Sequence, residues 1–286
     1  MTAEGRFGRV ALSLYFWAFI AFLFAPLFVL LIFSVNNSLT PAFPLSGFTF
    51  HWFSEAFSNG ELTGALRRSV EIGVVVGLLA TGFGVMASIG LSARRLRLRS
   101  LTIVVLMLPL VVPYISLAIG LLILLQQIGL HGSLASIAIG HVVIAMPFSI
   151  LVILPRLRSL DPAMVEAARD LGASDLGAFR LVTLPLLLPS LISSFLICFV
   201  TSFDEFAIAS FLYPPSQPTY PIFLYDGSRT PAFLPEVIAV GALIIVLTLI
   251  IIVCAEIGRR WAERKLGGTD ASSGALLAPN PVLIES

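Results

Sequence analysis

Six stretches of this chain are too long and too apolar to fold as parts of a soluble core: approximately 10–35, 69–91, 101–125, 133–154, 181–203 and 237–255. A helix rises about 1.5 Å per residue, so about 20 apolar residues cross the hydrocarbon of a bilayer. Inside lipid every backbone N–H and C=O must be satisfied internally, which leaves only helices or a closed barrel. The apolar–polar alternation of a membrane barrel is absent, which excludes the second. The rest of the composition agrees: 58% of residues are hydrophobic and 12% charged, against about a quarter charged in soluble domains. The fold class expected is all-α, a polytopic membrane protein with six transmembrane helices.

The first run follows Arg6 and Arg9, as a signal peptide would. It continues for 26 residues without a charge, however, whereas a signal core has about 7–15 and is followed by a small-residue cleavage site. It reads as a retained first span. Cys198 and Cys254 both fall inside runs, where each packs as a small apolar residue and suggests neither a disulfide nor a metal. Arginine placement sets the orientation. With the N-terminus inside, the cytoplasmic segments hold Arg6 and Arg9; Arg94, Arg95, Arg97 and Arg99; Arg156, Arg158, Arg169 and Arg180; and Arg259, Arg260, Arg264 and Lys265. That is 14 of the 17 basic residues, with Arg67, Arg68 and Arg229 left outside. Under the positive-inside rule both termini are cytoplasmic. The expected organisation is a cytoplasmic N-terminus over 1–9, a transmembrane domain over 10–258, and a cytoplasmic tail over 259–286 that is disordered from 267.

Within this frame several local patterns stand out. Gly73, Gly77, Ala80 and Gly84 share one face of the second run and allow a neighbouring helix backbone to come close, within the chain or in a partner subunit. Pro109 and Pro113 interrupt the third run, and Pro185 and Pro189 the fifth, so kinks are expected there. Outside the membrane, the segment 36–66 carries "FTFHWFSEAFSNG", in which Trp52, Phe53 and Phe57 suggest a short helix at the outer interface, serving as a headgroup anchor or a partner contact. In the segment 204–236, five prolines from Pro214 to Pro231 argue against one continuous helix.

A short polar helix lies at 161–172, between the fourth and fifth runs. Asp161 suits the N-cap, Pro162 the first helical position and Gly172 a left-handed stop. Met164, Ala168 and Leu171 line up as an apolar stripe, with Ala167 beside it. The helix is too short and too charged to span. It is either a connector on the membrane surface or, given its alanine-rich face, a docking element for another protein.

Ionisable residues near spans are candidate path residues, because an unpaired charge there is costly. Asp204 and Glu205 close the fifth run on the outer side and would attract a cation if they face water inside the protein. His141 lies in the fourth run and is either a packing histidine or a further path residue. Glu71 follows Arg67 by four residues, the spacing of a helical ion pair. Glu236 and Glu256 fall at the ends of the sixth run, where they are expected to be solvated or snorkelling. No cluster has metal-ligand spacing, so no metal is assigned, and no nucleophile stands beside a base, so no catalytic residue is assigned.

The stretch "EAARDLGASDLGAFRLVTLPLLLP" resembles the signature of permease subunits of bacterial, binding-protein-dependent ABC importers of the type I family. That signature reads Glu-Ala-Ala, three residues, Gly, nine residues, Ile, one residue, Leu-Pro. Glu166, Ala167, Ala168, Gly172, Leu184 and Pro185 match, and Val182 replaces the isoleucine. "SFDEFAIASFL" is similar to the end of the fifth span in spermidine/putrescine-type permeases. The resemblance implies an inner-membrane permease subunit importing a small solute, a polyamine or a related amine, by alternating access. It implies that the helix at 161–172 couples the spans to a separate ATPase. The implied partners are a second permease chain (in a heterodimer), two ATP-binding subunits and a periplasmic solute-binding protein. Besides these and membrane lipid, nothing points to nucleic acid. The chain itself is expected to bind no cofactor and to be no enzyme. Its only lysine, Lys265, sits in no phosphate-binding G-x-x-x-x-G-K-[ST] loop, so ATP would be bound and hydrolysed by the partner subunits. A permease for a different solute, such as an amino-acid derivative or an anion, shares all these features. An ion-gradient-driven transporter would need coupling-ion chemistry in broken, repeated spans.

Overall fold

The computed structural model describes residues 3–92, 98–230, 233–250 and 253, with residues 3–11 described by backbone alone. The expectations for Arg94, Arg95, Arg97, Pro231, Cys254, Glu256, Arg259, Arg260, Arg264, Lys265 and the tail lie outside the described residues. Twelve helices follow one another among the described residues: α1 (Ala3–Phe33), α2 (His51–Ser58), α3 (Gly60–Ser92), α4 (Arg99–Met107), α5 (Tyr114–Gln127), α6 (Leu134–Arg158), α7 (Pro162–Asp170), α8 (Asp175–Ala178), α9 (Leu184–Phe203), α10 (Ala207–Leu212), α11 (Tyr220–Ser228) and α12 (Leu234–Ile250). Among these residues the only β pairing is an isolated bridge between Asn36 and Phe48.

Among the described residues, four helices are long and apolar enough to cross a membrane: α1, α3, α6 and the helix running from Asp175 to Phe203. The third expected span is not one kinked helix. Its halves, α4 with a following 3₁₀ turn at Leu108–Leu110 and then α5, meet at 99°. Pro109 sits in the 3₁₀ turn, and Pro113 precedes α5 with an extended ψ of 130°. Neither proline can donate a backbone hydrogen bond, and Pro113 also disfavours helical geometry at Val112. Two such residues four apart break the helix where one would bend it.

The prolines of the fifth span act differently. A π-turn over Phe179–Thr183 precedes α9, and Pro185 takes a place in its first turn, where a missing N–H costs least. α9 then continues through Pro189 without a break.

The chain's contacts group into two compact units, one of Met1–Ala56 with Pro231–Ser286 and one of Phe57–Thr230. In the first, α1 exposes its apolar side chains from Leu12 to Phe28, as a helix facing lipid does. The loop after it is knotted around Asn36, whose side chain accepts from the Ser46 amide at 2.9 Å and whose carbonyl accepts from the Trp52 indole at 2.8 Å. Trp52 thus anchors the start of α2, the short aromatic helix expected at 36–66. Glu236, expected to be solvated, is instead buried at 6% exposure with a partner of its own.

The second unit is built on α3, α6 and α9. Asn59 caps α3 by accepting from Glu61 and Leu62, and Ser133 and Ser136 form a reciprocal capping box on α6. Helices in lipid gain no hydrophobic energy from pairing, so close approach through small residues must hold them. The glycine face of α3 serves this purpose within the chain. A Cβ added at Gly77 or Gly73 would lie 2.8 or 2.9 Å from the rings of Phe195 and Phe199 on α9, and one at Gly84 only 1.9 Å from the Ser149 hydroxyl on α6. The same seam carries a short polar chain, Thr81 to Ser194 at 3.1 Å and Ser194 to Ser149 at 2.8 Å. Cys198 packs beside it, fully buried. Ile72, Val76, Ile137, Ile144, Ile208 and Leu212 complete the core.

Gly84→Ala should therefore destabilise the protein by about 1–3 kcal/mol through overpacking, read as a lower unfolding temperature in detergent. Gly82→Ala, on the same helix with nothing within 4 Å, should leave that temperature unchanged.

Candidate functional site

Two polar regions lie at opposite ends of α9. At its start is the short helix α7. The Asp161 side chain accepts from the Ala163 amide at 2.9 Å, with Pro162 in the first turn. The helix stops at Gly172, whose φ is +91°, a left-handed conformation that favours glycine. The amides of Gly172 and Ala173 close the end on the carbonyls of Arg169 and Ala168. Ser174 then caps α8, and Arg169 reaches across the turn to Asp175 at 2.9 Å. Both partners are exposed, so this pair sets the angle between α7 and α8 more than it adds stability.

No residue of α7 is buried. Glu166 and Ala167 are exposed and Ala168 half-buried. The apolar stripe is open to its surroundings, Met164 at 47% and Leu171 at 90% exposure. Behind the helix a cleft of about 500 Å³ separates it from the ends of α3 and α6, with Glu166, Arg169, Asp175 and Phe179 on its walls. Leu184 and Pro185 do not belong to α7 and lie in the first turn of α9. The signature thus covers two elements, the exposed helix and the start of the span it is joined to.

At the far end of α9 the two adjacent carboxylates part company. Glu205 turns inward and is buried. Its carboxylate accepts from the amide of Ile208 with both oxygens at 2.9 Å, and from that of Ala209 at 3.0 Å. It thereby caps α10. His141 of α6 approaches the same carboxylate, Nε2 to Oε2 at 3.2 Å, with both side chains at most 4% exposed. The approach is in ion-pair range but is not a hydrogen bond. The other ring nitrogen, Nδ1, is bonded to the Ser202 hydroxyl at 2.8 Å, which fixes the imidazole. Asp204, one residue earlier, is exposed.

The expected ion pair between Arg67 and Glu71 is present at 2.7 Å. Arg68 instead crosses to the carbonyl of Pro218 at 2.9 Å, and the Ser69 hydroxyl accepts from the Tyr220 amide at 2.9 Å. These two contacts fasten the proline-rich segment between α10 and α11 onto α3. Burial pushes the Tyr220 phenol up from its ordinary value, and the charge of Asp204 adds to the rise.

Residues 73–268 match the family described as the binding-protein-dependent transport system inner membrane component. The chain belongs to that family. It is a multi-pass inner-membrane protein and a permease subunit of an ABC importer. The permease is 32% identical to the spermidine/putrescine transport system permease protein PotC of Haemophilus influenzae, over 84% of this chain and 94% of that one. It is 31% identical to the putrescine transport system permease protein PotI of Escherichia coli, over 78% of this chain and 82% of that one. A subunit of a bacterial ABC transporter involved in the import of the acidic polysaccharide alginate has the same fold, with a TM-score of 0.69 at 16% identity, over 89% of this chain and 98% of that one.

Sequence reasoning named His141 apart from the adjacent Asp204 and Glu205 and missed that His141 and Glu205 are partners. Sixty-odd residues separate His141 from Glu205, and no local spacing reports such a contact. The signal that existed was Glu205 three residues before Ile208, the spacing of a carboxylate that caps a short helix.

Replacing Glu205 by Ala should leave two buried amides and a buried imidazole without their carboxylate. A loss of about 3 kcal/mol is expected, measured as a drop in the permease's unfolding temperature. Glu205→Gln, which keeps an acceptor oxygen, should lose less, and Asp204→Asn at the exposed neighbour should lose almost nothing.

Proposed function

We propose that this permease imports a small organic cation of the polyamine type by alternating access, driven by separate ATPase subunits that engage α7. The observation that carries the coupling part is the state of α7 itself: a capped and stopped helix with an exposed apolar stripe, joined through α8 and the π-turn to α9. An amphipathic helix without a covered face is built for a groove in another protein. Ala167 and Ala168 permit close approach, Glu166 offers charge at the rim, Gly172 sets the exit angle, and Leu184 and Pro185 begin the span that receives the motion. Support for a polyamine comes from the relatives that carry spermidine or putrescine in their names and from the exposed Asp204, a carboxylate suited to an ammonium group. Glu205 and His141 would then hold the end of the path in shape rather than touch the solute. The remaining partners are a second permease chain, paired as a heterodimer, and an external solute-binding protein.

The assembled complex should hydrolyse ATP when the loaded binding protein is added, and the permease alone should not, because it has no phosphate-binding loop. Gly172→Val places a β-branched side chain at positive φ, costing about 1 kcal/mol or more. Ala167→Leu puts bulk on the exposed face. Both variants should insert normally and lose most of the stimulated ATPase activity, while Gly172→Asn, which tolerates that φ, should keep it. Wild-type coupling in correctly inserted Gly172→Val and Ala167→Leu would make α7 a surface connector only.

A further inference from the structure

Between Arg9 and Glu55 the chain has no aspartate, glutamate, lysine or arginine. This neutral stretch takes in the span of α1 and also the whole loop that follows it, residues 34–50. The loop is apolar where it is most open. Leu39, Phe43, Phe48 and Phe50 are all more than half exposed, Phe48 at 79%. Single apolar side chains on a surface need no explanation, but four large ones on one short loop do.

The loop cannot fold these side chains away, because its backbone is held. The Thr49 amide bonds the Val35 carbonyl at 2.8 Å and the Asn37 amide that of Gly47 at 3.0 Å, tying the two ends together. The Asn36 side chain and carbonyl secure Ser46 and Trp52 from within. One ring contact gives the level of the loop in the membrane. Phe33 is the last residue of the membrane-crossing length of α1, and the Phe43 ring packs on it with centroids 5.0 Å apart. The open surface of the loop is therefore continuous with the exposed side of α1, where the span ends. α2 differs. His51, Ser54, Glu55 and Ser58 share one helix face and are exposed, with His51 and Glu55 3.1 Å apart, while Ala56 is buried. The helix braces the loop with its other face and shows polar groups outward.

We propose that Leu39, Phe43, Phe48 and Phe50 form a lipid-binding patch that inserts into the outer leaflet, at the boundary between headgroups and acyl chains. Aromatic side chains favour that boundary. The patch carries no formal charge, so it recognises the interface itself and not the charge of a headgroup. Neutrality also sets it apart from a docking surface for a protein, which uses charge to fix the partner's orientation. Joined to Phe33, the patch holds the outer end of α1 at a set depth and stops the helix sliding along its axis.

The test uses the importer assembled with its partner subunits in phosphatidylcholine nanodiscs, in a Cys198→Ala, Cys254→Ala background. Spin labels are attached to Phe43→Cys, Phe48→Cys and Phe50→Cys, with Ser54→Cys on the polar face of α2 as the control. Collisions of each label with oxygen and with a water-soluble nickel chelate are measured. Oxygen should dominate at 43, 48 and 50, at a depth of about 5–10 Å below the phosphates, and the chelate should dominate at 54. Adding phosphatidylglycerol should leave these readings unchanged, as a neutral patch requires. In a Phe43→Ser, Phe48→Ser variant the label at 50 should move several ångströms toward water. Three results would overturn the proposal. Collisions dominated by the chelate at 43, 48 and 50 would place the loop in water, and protection from both reagents would assign it to a protein subunit. An unchanged depth at 50 in the double serine variant would show that the rings do not hold the loop in lipid.

Discussion

Lipid offers helices no reason to associate, because a leucine is as well solvated by acyl chains as by another helix. What holds the second unit together is therefore distance. α3 can approach α6 and α9 only because Gly73, Gly77 and Gly84 present no side chain where Phe199, Phe195 and Ser149 sit. Everything else follows from that approach. The serine and threonine hydroxyls of the seam come within hydrogen-bonding range, Cys198 reaches the Ala145 carbonyl at 3.4 Å, and the rings of α9 are held in register.

The far end of α9 is organised by a different constraint. A carboxylate buried beside an imidazole is expensive unless every lone pair is used. Glu205 accepts from two backbone amides and lies beside the His141 imidazole, and the result is a link among α6, α9 and α10. The neighbouring Asp204 has no such partners. Two adjacent acids thus divide into one that is buried and bonded within the protein and one that is exposed.

Much of this was legible in the sequence. The long apolar runs gave the helical class, the caps at Asp161 and Gly172 gave the extent of α7, and the i, i+4 spacing gave the Arg67–Glu71 pair. What could not be read were features that depend on distant residues or on the sum of two local ones. Single prolines predict kinks, but whether Pro109 and Pro113 bend or break a helix depends on both at once. Pro185 was expected to kink its span, and instead it falls in the first turn of α9, just after the π-turn. The glycine face of α3 was visible, although not which helix it faced. The inward turn of Glu205 and the burial of Glu236 were invisible, since burial is decided by neighbours that the local chain does not specify.

The π-turn at Phe179–Thr183 bears on more than proline accommodation. A turn closed by a bond five residues long contains one residue more than an α-turn, and one residue is about 100° of rotation about the helix axis. The number of residues between Gly172 and Pro185 is therefore a phase setting. It fixes which way α7 points relative to the side of α9 that carries Ser194, Phe195 and Phe199. Lengthening or shortening this stretch by a single residue would leave both helices intact and aim one of them in the wrong direction, so the spacing of the signature constrains an angle as much as a set of side chains.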